Sequence, residues 1–169
     1  MKILMWLVLS VCALSTSAQT DSVLKRKPYH LVVPVDQETA YEEDLKESAY
    51  IHPDNTVQLY PGESVFIEIE WDQGKIQHMK AVSENKNPEK TLTISFKQSL
   101  KDDAHEFMKL EILNPFVKVL HYKAVIYIFH ARKWVETDVF PVKAGISGIE
   151  IWPDLITSIA LGDWTFHEN

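Results

Sequence analysis

Cysteine is nearly missing from this chain of 169 residues: it has one, Cys12. Residues around it read as an export leader. Lys2 precedes the apolar run Ile3-Leu4-Met5-Trp6-Leu7-Val8-Leu9, and the small residues Ser15-Thr16-Ser17-Ala18 come before Gln19. This is a basic start, a short hydrophobic stretch and a small-x-small cleavage site. Cleavage after Ala18 would leave 151 residues with no thiol. A disulfide framework, a cysteine nucleophile and a blue-copper centre, which needs a thiolate ligand, are all excluded from such a product. An alternative reads Leu9-Ser10-Val11-Cys12 as a lipidation site, but Val11 is bulkier than the small residue expected before such a cysteine.

Other absences narrow the field further. None of Asn55, Asn85, Asn87, Asn114 and Asn169 begins an N-x-[ST] acceptor. An exported domain lacking both cystines and acceptor sites suits a bacterial envelope, periplasmic or extracellular. Outside the leader no apolar run is long enough to span a bilayer, so no transmembrane segment is expected after cleavage. Basic residues are outnumbered, 17 against 24, and losing Lys2 takes the formal charge from −7 to −8. Nucleic-acid affinity comes largely from Lys and Arg displacing counterions, so no nucleic-acid partner is expected. The five glycines are single turn or bulge residues, and Gly145-Ile146-Ser147-Gly148 does not make a phosphate cradle. No G-x-S-x-G elbow occurs, and Lys109 stands where His105-Glu106 would need a second histidine for a zincin motif. The expectation is a protein without a cofactor and without catalysis.

What is present alternates. Thr91–Lys97 places Leu92, Ile94 and Phe96 on one face, Met108–Ile112 does the same, and Val65–Trp71 puts Val65, Ile67, Ile69 and Trp71 together. Period two marks half-buried strands. Val117–Phe129 differs. Leu120, Tyr122, Ala124, Ile126 and Ile128 form one face, and Val125, Tyr127 and Phe129 make the other apolar too, as in a central strand. Further strands are expected at Val135–Val142, Ile146–Trp152, Ile156–Leu161 and Trp164–His167, with shorter ones near Val32-Val33 and Ile51.

Turn chemistry separates the runs. Tyr60-Pro61-Gly62-Glu63 suits a type II turn, Asp72-Gln73-Gly74 a hairpin loop, and Gly162 a bulge. Asp36–Glu47 reads as a short helix or solvated loop, and Gln98–Glu106 as a loop with one helical turn. The expected class is all-β: an immunoglobulin-like or fibronectin-like antiparallel sandwich, with a closed up-and-down barrel as the alternative. The expected organisation is a signal peptide over 1–18, a flexible N-terminal segment over 19–28 and one β-sandwich domain over 29–169. Lys25-Arg26-Lys27 falls in that flexible segment and reads as a solvated tail.

The residues offer three kinds of site. Paired carboxylates at Glu68 and Glu70 alternate with core positions and read as a wet strand face. For a metal, no His-x-His or H-x-x-x-H spacing occurs among the seven histidines. A site would have to be assembled from distant strands, with His78, His121 and His130 best placed. The surplus is aromatic: Phe66, Val125, Tyr127, Phe129, Trp134 and Phe140 fall outside the presumed core face. Gathered on one sheet they would form a patch for a protein or small ligand, unless a loop or Asp36–Glu47 covers them. The expected function is an exported, non-enzymatic binding or accessory module of the bacterial cell envelope, its partner an envelope protein or small ligand. The alternative is a periplasmic carrier of a small ligand or of a metal held by His and Met. A cryptic hydrolase, with a histidine paired to serine or carboxylate, is a third reading.

Overall fold

The computed structural model describes residues 24–168. The expected leader lies outside them, as do residues 19–23 of the segment expected to be flexible. Every strand pairing among the described residues is antiparallel, and they contain no α-helix, only a 3₁₀ turn at Pro88–Lys90. The all-β class read from the alternation is the one observed.

Three hairpins supply most of the main sheet: β6 (Ser64–Asp72) with β7 (Lys75–Val82), β8 (Thr91–Lys101) with β9 (Ala104–Leu113), and β10 (Val119–Ile128) with β11 (Lys133–Thr137). Their inward residues are those the period picks out. Leu92, Ile94 and Phe96 are buried, as are Val65, Ile67 and Ile69 on β6 and Met108, Leu110 and Ile112 on β9. Burying each such side chain is worth about 1.5–3 kcal/mol. Turn residues behave as their types require. Gly62 has φ 92° and the Glu63 N–H donates to Tyr60 O at 3.1 Å, a type II turn.

Two later strands return across the sheet. β12 (Ser147–Trp152) joins β9, and β13 (Ile156–His167) lies beside β10. On its other side β13 pairs with β5 (Val57–Leu59) and then, through Thr165 and Lys75 alone, with β7. The resulting order is β11-β10-β13-β7-β6-β8-β9-β12. Outside the three hairpins, consecutive strands are not neighbours, so this is not an up-and-down meander. The sheet curls until its two edge strands approach: Trp152 Nε1 on β12 donates to Thr137 Oγ1 on β11 at 3.1 Å. One buried cluster from Leu31 to Phe166 fills the interior.

Several expectations are corrected. Asp36–Glu47 holds no helix and is a loop only in part: residues 36–39 make a turn, and then β3 (Ala40–Leu45) pairs residue for residue with β2 (Tyr29–Pro34), burying Leu31, Val33 and Leu45. Tertiary burial of three side chains outweighs the acidic composition. Gln98–Glu106 is not a loop. Asp102 and Asp103 take φ of 51° and 60° in a two-residue turn, and the flanking strands stay paired up to it, with one register shift between Ser99 and Leu100. The strand expected over Val135–Val142 ends at Thr137, where the chain leaves to cross toward β12. Gly162 does mark an irregularity, since the β10–β13 register shifts opposite it, and β13 runs through unbroken.

The solvated tail is corrected most sharply. Lys25–Arg26 is a short strand, β1, paired with β4 (Ser48–Ala49), and Arg26 is 2% exposed. A guanidinium is buried only where its donors are satisfied. Glu63, in the type II turn, accepts from Nε and Nη2, while Ser48 Oγ accepts from Nη1 at 2.6 Å.

Candidate functional site

The row that matters crosses three strands. Trp134 on β11 stands directly opposite Tyr127 on β10, and Tyr127 directly opposite Ser158 on β13. Residues opposite one another share a sheet face. Their neighbours Ala124 and Ile126 are buried, so this row points away from the core. Tyr127 and Trp134 meet edge to face, ring centroids 5.4 Å apart.

Gln58 on β5 extends the row. It opposes Ala160, and its Nε2 donates to Ser158 Oγ at 2.9 Å and to Tyr60 Oη at 3.3 Å. From the other side the β2–β3 hairpin brings Tyr41 and Glu43, with the Tyr41 hydroxyl donating to Glu43 Oε2 at 2.5 Å. Burial, then this carboxylate, pushes the Tyr41 phenol up to about 12. These side chains and Thr157 enclose a groove of about 230 Å³.

The buried ion pair holds one wall. The Arg26 guanidinium lies 4.7 Å from the Tyr60 ring centroid and 4.8 Å from that of Tyr50, a cation between two aromatic faces. Its Nη2 also donates to Gln58 O at 2.9 Å, and Glu63 Oε2 accepts from Tyr60 N at 2.9 Å. Burial opposes the charge on Arg26, but the adjacent Glu63 carboxylate outweighs it and holds the guanidinium above its ordinary range. Gln58 and Tyr60 are thereby fixed by main-chain as well as side-chain contacts.

The aromatic residues singled out in the sequence divide. Tyr127 and Trp134 form the groove, with Val125 next along the same face of β10. Phe129 is half-buried beneath it, edge-on to Tyr41 at 5.6 Å. Phe66 is not brought to them: it sits on β6 between Val82 and Thr93. Phe140 lies beyond β11, 80% exposed in the crossing segment. The β2–β3 hairpin thus half covers this face and turns a flat patch into a groove. Sequence reading missed Tyr41, Glu43, Gln58 and Tyr60. Only the turn signal after Tyr60 hinted at a fixed position there.

His78, His121 and His130 are not assembled. His121 lies near the start of β10 and His130 follows its end, more than about 20 Å away by strand rise. His78 is instead joined by His52 at a second cleft, of about 550 Å³, whose walls include Ile51, Pro53, Met79 and Ala81. Among the described residues no three His, Cys, Asp or Glu side chains come together as a metal site, and no helix is long and apolar enough to cross a membrane. Compared with known proteins, the chain matches no protein family, no curated sequence and no solved structure.

Proposed function

We propose that this protein is an exported, non-enzymatic binding module of the bacterial cell envelope, built on an immunoglobulin-like sandwich, and that the groove over β10, β13 and β5 is its binding surface. One observation carries the reading. Four aromatic rings, Tyr41, Tyr60, Tyr127 and Trp134, line one outward groove, Tyr41 and Tyr60 also packing against the core. Aromatic side chains supply large contact area at small entropic cost and are concentrated at recognition surfaces. The hydrogen bond that Arg26 donates to Gln58 O and the one that Glu63 accepts from Tyr60 N supply the rigidity that a preformed site needs. Among the described residues Glu43 is the only carboxylate lining the groove, and it is engaged by Tyr41, which suits recognition better than proton transfer.

Export is tested by expressing the whole chain in a bacterium, isolating the periplasm and sequencing the product's N-terminus. Gln19 as first residue is the expected result, and an uncleaved cytosolic chain refutes it. The groove is tested by backbone hydrogen exchange in fractions of an envelope extract. Added protection at Tyr127, Trp134 and Ser158 in at least one fraction is expected. No fraction protecting those residues refutes the binding surface.

A second reading, a periplasmic carrier of a small ligand, is favoured by the cleft between Ala49–Asn55 and β7. Its volume, about 550 Å³, falls within the range of small-molecule sites. Protection confined to His78–Ala81 in the same experiment would favour this reading.

A further inference from the structure

Among the described residues, every side chain lining the groove carries a hydrogen-bonding group, half of them also carry an aromatic ring, and none is a lysine or arginine. We propose that the ligand is a neutral saccharide. This rests on the groove being a binding surface, and it names the chemistry that the surface selects. A sugar ring presents a face of C–H groups that packs on an aromatic plane, and a rim of hydroxyls that both donate and accept. Trp134, 46% exposed, offers such a plane at one end. Its edge-to-face contact with Tyr127 fixes the ring orientation.

The rim is set for hydroxyls. Tyr60 Oη accepts from Gln58, which leaves its proton to donate outward. Glu43 uses Oε2 for Tyr41 and retains Oε1 as a strong acceptor. Gln58 is a positioning residue. Its amide nitrogen is committed to Ser158 and Tyr60, and its oxygen lies 3.2 Å from His52 Nε2.

Competing chemistries fit less well. An anionic ligand would meet Glu43 and no lining cation. An extended peptide adding a strand needs free backbone groups, yet β10, which floors the groove, is paired on both sides at Tyr127, and β13 is paired on both sides from Ile159 to Leu161. A quaternary ammonium needs several ring faces converging in a dry cage. Here the two most outward rings meet edge to face, and hydroxyls occupy the rim.

The test is titration of the purified chain with cellohexaose, maltohexaose and chitohexaose at millimolar concentration, read by the ¹⁵N shift of the Trp134 indole N–H. Tetramethylammonium chloride and inorganic phosphate are titrated in parallel. Saturable movement of that signal by at least one oligosaccharide is expected. Trp134→Ala, read by tyrosine-ring shifts, and Glu43→Gln should each weaken binding about tenfold or more, equal to about 1.4 kcal/mol. Their thermal midpoints should stay near wild type. No movement with any oligosaccharide, or movement with tetramethylammonium or phosphate alone, overturns the saccharide. Movement by an oligosaccharide that both variants preserve overturns the groove as its site. If extract fractions still protect Tyr127, Trp134 and Ser158 while all three sugars fail, the binding surface survives and only its ligand class is wrong.

Discussion

Both carboxylate oxygens of Glu63 accept hydrogen bonds from one guanidinium, that of Arg26, at 2.5 and 2.8 Å, with the two side chains almost entirely out of water. The pair joins the first described strand to the turn after β5. A buried pair contributes little net stability against an apolar replacement, but removing one partner strands the other charge. Arg26→Met should therefore lower the unfolding free energy by about 3–5 kcal/mol. Arg26→Met combined with Glu63→Met should cost clearly less than the two single changes added together. Urea unfolding of the three variants measures this. A single-variant loss below about 1 kcal/mol would show the pair to be hydrated.

This pair also shows where reading the sequence stops. Leu92, Ile94 and Phe96 were legible because strand period alone assigns them to the core. Gly62 was legible because a type II turn needs positive φ after a proline. Arg26 was not: three basic residues in a row look solvated until a carboxylate 37 residues away is known to meet one of them. Tyr127 and Trp134 were recognisable as outward aromatics. Tyr41 and Glu43, however, came from a segment whose acidity suggested a loop, and only its pairing with β2 delivers them to the groove. Contacts at long sequence separation leave no local periodic trace.

Gly148 is held against Val142. A Cβ built at Gly148 would lie 2.7 Å from Val142 Cγ2 and 3.2 Å from Cγ1. Val142 is 1% exposed and bridges Leu120, and a β-branched side chain has little freedom to turn aside. Gly148→Ala should cost about 1–3 kcal/mol through overpacking. Gly148→Ala combined with Val142→Ala should cost less than the two single changes added together, since the second change removes the atoms in the way of the first. A double variant as unstable as the sum of the singles would exclude this contact as the cause.

β12 is an edge of the main sheet, and it exposes Ile149 at 53% and Ile151 at 56% with Ile146 close by in sequence. A greasy edge with unpaired backbone groups invites pairing with another chain. Ile149→Lys and Ile151→Lys together should change stability by no more than about 0.5 kcal/mol per site. They should also delay the rise of light scattering on heating. A large loss of stability would mean that this face is packed, and unchanged scattering would place the sticky surface elsewhere.

His30 gives the hairpin that walls the groove a pH dependence. Its Nδ1 lies 2.8 Å from Asp44 Oδ1 and its Nε2 3.2 Å from Glu42 Oε2, both on the paired strand β3. Hydrogen bonding to Asp44, then to Glu42, holds the imidazole pKa above its ordinary 6.5. A raised folded-state pKa favours the protonated form in the native hairpin. The contribution is complete below the unfolded value near 6.5 and is lost as pH rises through the higher folded value. Wild type should therefore melt above His30→Gln at pH 5.5, and the difference should shrink toward pH 8.5. Paired thermal melts at both pH values measure it, and the wild-type imidazole titrates directly by NMR. A wild-type advantage that grows with pH would have the wrong sign, and would show that these carboxylates do not hold the imidazolium.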